Sequence, residues 1–310
     1  MEEAPPPSGA QCEIGHGNQR AVIVEVGGGL RSYQVGGFDV LDGYRVDQMC
    51  TGGRGAPLIP WPNRLRDGRY DFAGQSHQLA LTEPSKRNAI HGLLRWQRWS
   101  FTDHGADRVT VEAVLHPQPG YPFTLAASIE YALTAGGLRV AITGRNLGSE
   151  PLPFGAGQHP YIRVDDGGID SARVESPART RLLVDRRQVP TGERAPVAGK
   201  HDLRRPRRIG RRMLDAPYTD LERDADGLAR VVMSGRRRRV TVWMDAGFPH
   251  LMLFTGDTLA PDQRRRGLAV EPMTCPPNAF QTGEDVKPLG PGEAFTATWG
   301  ITVEAIQPSE

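Results

Sequence analysis

No stretch of this 310-residue sequence is apolar for long enough to cross a bilayer as a helix, which takes about 20 such residues. The first residues, MEEAPPPSGAQ, lack the basic and apolar regions of a secretory signal, so a soluble, cytoplasmic protein with no membrane partner is expected. Cysteine is scarce: Cys12, Cys50 and Cys275 are odd in number and widely spaced, which suits a reducing compartment and argues against a disulfide framework. The histidines form no H-E-x-x-H or H-x-H pattern and the cysteines no C-x-x-C pair, so no metal site is expected. The serine-hydrolase signature G-x-S-x-G is missing, and so is any phosphate-cradling loop followed by Lys-Ser or Lys-Thr. Gly27, Gly28 and Gly29 lack the G-x-G-x-x-G order and lead into a strand-like segment, which removes a dinucleotide-binding turn.

An excess of one charge is also lacking, since the net charge is only +2. Arginine is nonetheless clustered, at Arg204, Arg205, Arg207, Arg208, Arg211 and Arg212 and again from Arg236 to Arg239. Clustered cations can bind phosphates, but no aromatic residues are interleaved with them for base stacking. The runs read as solvated loop and strand-edge residues, and no nucleic-acid partner is expected.

What the chain does have is a period of two. Val109, Val111, Ala113 and Leu115 recur at every second position, and so do Leu125, Ala127, Ile129, Tyr131 and Leu133, then Leu138, Val140 and Ile142 after a glycine turn. AVIVEV and LRSYQV flank the glycine triplet as a hairpin, and RLLVD, RVVM, RVTVWM, HLMLFTG, GLAVEP and FTATWGITVEA continue the strand-like pattern. No long amphipathic helix stands out. Many short strands with glycine and proline punctuation predict an all-β protein, a large antiparallel β-sandwich. Residues 1–18 are expected to be a disordered tail and 19–310 a single sandwich domain, with 189–212 as a long surface excursion.

Polar residues lodged among glycines, prolines and aromatics form the candidate site. Asn63 and Arg64 follow Trp61-Pro62, His91 precedes Gly92, and Asp215 lies in LDAPY. His159 sits in FGAGQHPYI, where Gly155 and Gly157 are expected to let the backbone turn closely, and Pro160 to set the chain direction after it. Glu271 ends the apolar run LAVE, where burial would raise its pKa and make it a better proton acceptor near neutrality. Together an arginine, histidines and carboxylates make the inventory of a site that grips hydroxyls and moves protons.

These segments resemble the aldose 1-epimerases, or galactose mutarotases. WPNRL, AIHGLLR, GAGQHPYI, LDAPY, LAVEPMTCPPNAF and the closing LGPGEAFTATWGITV match the family's segments in order, from about residue 20 to 305. The resemblance implies a large β-sandwich of the galactose mutarotase-like supersandwich type, with a sugar in a cleft on a concave sheet face and no cofactor. It further implies Glu271 as the base that takes the anomeric hydroxyl proton and His159 as the acid that protonates the ring oxygen. The two should lie on opposite sides of C1–O5 with room for one pyranose between them. Arg64 and His91 match residues that hold hydroxyls or the ring oxygen, Asp215 matches a hydroxyl-binding carboxylate, and Asn63 belongs to the same lining. Glu271 must be ionised while His159 can donate.

Two departures bear on the substrate. Met252 stands where some members place an amide, and HGLLR replaces HGG, with Trp96 and Trp99 soon after. Both tryptophans fit the core better than a sugar-stacking role. Cys275 fits a small packing residue. The expected activity is interconversion of the α and β anomers of a free hexose. A hexose-6-phosphate 1-epimerase is the rival enzyme, needing an arginine in the cleft as a phosphate clamp, and a non-catalytic sugar-binding or regulatory module is the rival of another class.

Overall fold

The period-two pattern forms an antiparallel sandwich in a computed structural model that describes residues 4–306. One sheet has nine strands. Its centre is the expected meander, Arg108–Leu115, Leu125–Thr134 and Gly137–Asn146, which continues through the closing strand Ala294–Ala305 into Arg238–Met244 and Ala229–Ser234. Among the described residues the one α-helix is a single turn, Ala279–Thr282.

The second sheet carries the polar residues of interest. In chain order its strands are β1 (Pro57–Leu58), β2 (Gly157–Gln158), β3 (Tyr161–Ile162), β4 (Ala178–Val184), β5 (Pro190–Pro196), β6 (Asp215–Leu221), β7 (His250–Phe254) and β8 (Leu268–Met273). They pair in the order β5-β4-β6-β7-β8-β2-β1, and β3 also pairs with β8. Every residue of β8 is buried, so both faces of this strand are covered. Leu268 and Val270 join the apolar core with Leu251 and Leu253 of β7 and Ala216 and Tyr218 of β6. The alternating residues, Glu271 with Met252 beside it and Ala269 with Phe254 beside it, face the other way. Strand alternation thus sends one half of each strand between the sheets and leaves the other, which includes Glu271, on the opposite face of the sheet.

A polar thread crosses the core and fixes one sheet on the other. The indole of Trp299 donates to Gln158 Oε1 at 3.0 Å, and Gln158 Nε2 donates to the Tyr131 hydroxyl at 3.0 Å, which in turn donates to the Gly28 carbonyl at 2.8 Å. Each buried polar group is satisfied, so the thread orients β2 at no desolvation cost.

Two expectations are corrected. Within the N-terminal tail, Gln11–His16 is not disordered but forms a strand paired with Gln19–Val24. Its alternation is short, yet Cys12 and Ile14 point inward and are buried, which is enough to hold it. The 189–212 segment is likewise no free excursion, because Val189, Val197, Leu203 and Ile209 are all buried and anchor it to the core. Between those anchors Arg204, Arg205, Arg207 and Arg208 stand exposed, as the solvated reading required.

Candidate active site

His159 and Glu271 meet because their segments are neighbouring strands. Gly157 lies opposite Met273 and Tyr161 opposite Ala269, a continuous antiparallel register that carries His159 across from Glu271. Their side chains line one cleft, with His159 Nε2 3.3 Å from Glu271 Oε1. This corrects two expectations. There is no space for a pyranose between the two groups, and they do not flank a bond from opposite sides. Gly155 and Gly157 are also not turn glycines: neither has a positive φ, and a Cβ would fall 2.4 Å from Cys275 Sγ at the first and 2.8 Å from the Pro272 carbonyl at the second. They let this segment press against β8. Cys275 is fully buried there, as a packing residue would be.

The His159 ring is held from two sides. Tyr161 stacks against it at 4.9 Å and 20°, with the Tyr161 hydroxyl donating to the Gly52 carbonyl at 2.8 Å. Against another side lies Gly53. Its φ is +73° and a Cβ there would fall 3.0 Å from His159 Cδ2, so conformation and space both require glycine. Gly53→Ala should therefore displace the ring by a few tenths of an ångström and lower kcat/KM roughly tenfold. Steady-state kinetics with a parallel thermal melt checks this, and an unchanged rate would show that the ring has slack.

Burial sets the protonation of the pair. Glu271 is pushed up to about 8 by burial, reinforced by Asp215 and opposed by Arg64. His159 is driven down to about 3, first by burial and then by the fields of Arg54, Arg95 and Arg64. Near neutrality the two side chains consequently hold one proton between them, and it rests on Glu271, contrary to the ionised state expected of it. Transfer to His159 gives the charged tautomer without adding or removing a proton.

The remaining sequence candidates all reach the same cleft, of about 310 Å³. Asn63 and His91 both adopt positive φ, at 57° and 63°. The Asn63 backbone N–H donates to His91 Nδ1 at 3.2 Å, which leaves the proton of the neutral His91 ring on Nε2. Burial, then the fields of His159, Arg95 and Arg64, keeps that ring neutral by holding its pKa well below the usual range. Arg64 donates from Nε and Nη2 to both oxygens of Glu83, at 2.8 and 3.0 Å, so only part of its fork remains for a ligand. Although burial would raise Glu83, its hydrogen bonds from Arg64 and Asn88 win and keep it ionised. Asp215 lies at the start of β6 beside Phe254, and burial raises its pKa despite Arg64 and Lys86.

Sequence reasoning missed Glu83, Lys86, Arg95, Tyr161 and Phe254, which also line the cleft. Tyr161 and Arg95 stand inside the segments already singled out, but nothing in spacing says that they face a ligand. Glu83 caps, and Lys86 ends, the short 3-10 turn Pro84–Lys86, too short to show periodicity. Trp99 is buried away from the cleft, with its indole donating to the Leu94 carbonyl at 3.1 Å, while Trp96 is 48% exposed. Met252 lies next to Glu271 and supplies apolar cover where an amide would have offered hydrogen bonds. Among the described residues the one grouping of metal-capable side chains is His250, Glu284 and Asp285, none of which lines the cleft. Arg194 pairs with Glu284 there at 2.6 Å.

Known proteins share this sequence pattern and this fold. The chain is 33% identical over 295 residues to the uncharacterized protein YihR of Escherichia coli, covering 95% of this chain and 93% of that one. It is 29% identical to the galactose mutarotase of Homo sapiens over 60% of this chain and 55% of that protein. The galactose 1-epimerase structure from Lactobacillus acidophilus superposes with a TM-score of 0.80 at 20% identity, covering 98% of both chains. The aldose 1-epimerase profile matches residues 10–302, so the cleft that joins His159 to Glu271 lies wholly within the match, and the chain belongs to the aldose 1-epimerase family.

Proposed function

We propose that the protein interconverts the anomers of a hexose by ring opening and reclosure, with His159 and Glu271 as the proton-transfer pair. The observation that carries this is the 3.3 Å contact between His159 Nε2 and Glu271 Oε1 in a cleft also lined by Asn63, Arg64, His91 and Asp215. In a cyclic hexose both O1 and the ring oxygen O5 are bonded to C1. The groups that serve them must therefore stand side by side, as these two do. With the proton on His159, Glu271 accepts the O1 proton while His159 Nε2 donates to O5, and the C1–O5 bond breaks to leave an aldehyde. That step returns the pair to the tautomer with the proton on Glu271. Rotation about C1–C2 exposes the other face of the aldehyde, Glu271 returns its proton to O1 and His159 recovers one from the O5 hydroxyl, giving the other anomer. No net proton is exchanged with water, and each transfer is worth about 10²–10⁴-fold.

Asp215, His91 Nε2–H and the unspent donors of Arg64 and Asn63 hold the hydroxyls. A sugar-binding module without turnover would need no such proton couple, which favours the enzyme reading.

Polarimetry on freshly dissolved α-D-glucose and α-D-galactose tests the proposal. Mutarotation should accelerate in proportion to protein, and kcat/KM should fall above about pH 8, where the pair loses its one proton. No acceleration for either sugar or for charged hexoses would discard it.

A further inference from the structure

We infer that a pocket on the outer face of the N-terminal sheet, apart from the sugar cleft, binds a phosphate dianion as an effector. The strands Gln11–His16, Gln19–Val24 and Leu30–Val35 pair in antiparallel register, which sets Glu13, Val22 and Ser32 in one row and Arg20 and Gln34 in the next. Arg31, Arg45, Arg163 and Arg266 join Arg20 in lining a cavity of about 460 Å³ over this floor. None of its lining residues belongs to the cleft of His159 and Glu271. None of the five arginines belongs to the two runs that stand out in the sequence, so only folding brings them together.

The carboxylates present do not satisfy these cations. Arg31 has no carboxylate partner among the described residues: its Nε donates to Gln11 Oε1 at 2.7 Å and its Nη1 to the Tyr44 carbonyl at 2.9 Å, which leaves Nη2 over. The side chain of Arg163 is 16% exposed, yet the carboxylate it faces, Asp39, stands 3.5 Å away and is itself half exposed. Arg20 keeps 4.0 Å from Glu13. Behind the lining, Arg45 pairs with Asp47, and Arg266 with Asp42, whose other oxygen already serves the buried Arg54. Within this group six guanidiniums share four carboxylates, and two positive charges remain. Partly desolvated cations in excess are costly, and an oxyanion of charge two offsets that cost with charge-assisted hydrogen bonds. Val22 and Leu41 add an apolar wall that suits the organic part of a phosphomonoester.

Arg266 connects the pocket to catalysis. Its partner Asp42 also holds Arg54, which lies against Tyr161 and bonds the Thr51 carbonyl beside the glycines that pack on His159. An anion that draws Arg266 off Asp42 leaves that carboxylate to Arg54 alone. The field of Arg54 is among those that disfavour a protonated His159. Its fuller neutralisation favours the tautomer needed to open the ring. The binding site stands apart from the epimerase reading, whereas this effect on turnover rests on it.

Titration calorimetry of the full chain with inorganic phosphate and with glycerol 3-phosphate, at constant ionic strength in chloride, tests the site. Both should bind once per chain, and the tighter of the two tells whether free phosphate or a phosphomonoester is the source. Arg31→Gln and Arg163→Gln should each weaken binding at least about tenfold while melting close to the parent, and Arg95→Gln, in the cleft, should leave it unchanged. Once the buffer-catalysed rate is subtracted, saturating phosphate should raise kcat for glucose mutarotation about fivefold. Arg266→Gln should show the raised kcat without phosphate and respond no further. Absence of binding, affinity that survives both Arg31→Gln and Arg163→Gln, or binding lost in Arg95→Gln would exclude the pocket. Binding that leaves kcat unchanged or lowers it would exclude the effector role. If no sugar is turned over, the epimerase reading fails by itself and calorimetry alone decides the anion site.

Discussion

Glu271→Gln is expected to lower kcat by about 10²- to 10⁴-fold while changing sugar affinity little, because glutamine keeps the shape and a hydrogen-bonding group but cannot exchange a proton. The same substitution should stabilise the fold at alkaline pH. The carboxyl has an ordinary value of 4.5 and one of about 8 in the folded protein. The unfolded chain thus releases this proton first, and the parent loses stability as pH rises from the lower value to the higher. Glutamine carries no such penalty, so the variant should melt with the parent's pH dependence at pH 4 and increasingly above it by pH 8, by an amount on the order of a few kcal/mol. His159 contributes in the opposite direction. Its lowered value costs stability as pH falls below 6.5 toward about 3. A variant that keeps more than a tenth of parental kcat would remove Glu271 from the proton-transfer role. A gap in melting temperature that does not widen between pH 4 and 8 would show that its carboxyl is not held protonated.

The second large effect is expected one layer beneath the cleft. Arg54 is 3% exposed and Asp42 2%, and Arg54 Nε donates to Asp42 Oδ2 at 3.1 Å. Arg266 adds an ion pair to the other Asp42 oxygen at 2.8 Å, but its side chain is half exposed and can turn to water. Arg54 cannot. It lies 5.1 Å from the centroid of Tyr161, the ring that stacks on His159, and bonds the Thr51 carbonyl in the loop that ends at Gly53. Asp42→Asn leaves this guanidinium buried without a counter-charge and should cost about 3–5 kcal/mol, roughly 5–10 °C in Tm. Activity should fall as well, because the support under Tyr161 and Gly53 is disturbed. The double replacement Asp42→Leu with Arg54→Met should recover much of the stability, since it removes both charges. A loss below 1 kcal/mol for the single variant would mean that Arg54 reaches solvent or another acceptor.

Little of this underlying support could be read in the sequence. Asp42 and Arg54 fall in a glycine-rich stretch without periodicity, and nothing there distinguishes a buried ion pair from solvated loop charges. The same holds for the Glu83 carboxylate that occupies Arg64, because a bidentate partner 19 positions away has no local signature. By contrast, each residue proposed from sequence for the site does line the cleft: Asn63, Arg64, His91, His159, Asp215 and Glu271. They were recognisable because each stands where an apolar run meets glycine or proline, and such breaks are where a β-protein presents side chains.

Local chemistry and alternation, which a chain carries in its own order, determined the all-β class, most strands of the meander and the identity of the polar residues. Only the tertiary structure decided which of them touch. Strand register brings His159 across from Glu271, and register is set by which apolar faces close on each other over the whole sandwich, not by either segment alone. The protonation of the pair followed from the same closure, since desolvation depends on everything packed around β8. It turned the expected acid and base on opposite sides of a sugar into neighbours sharing one proton.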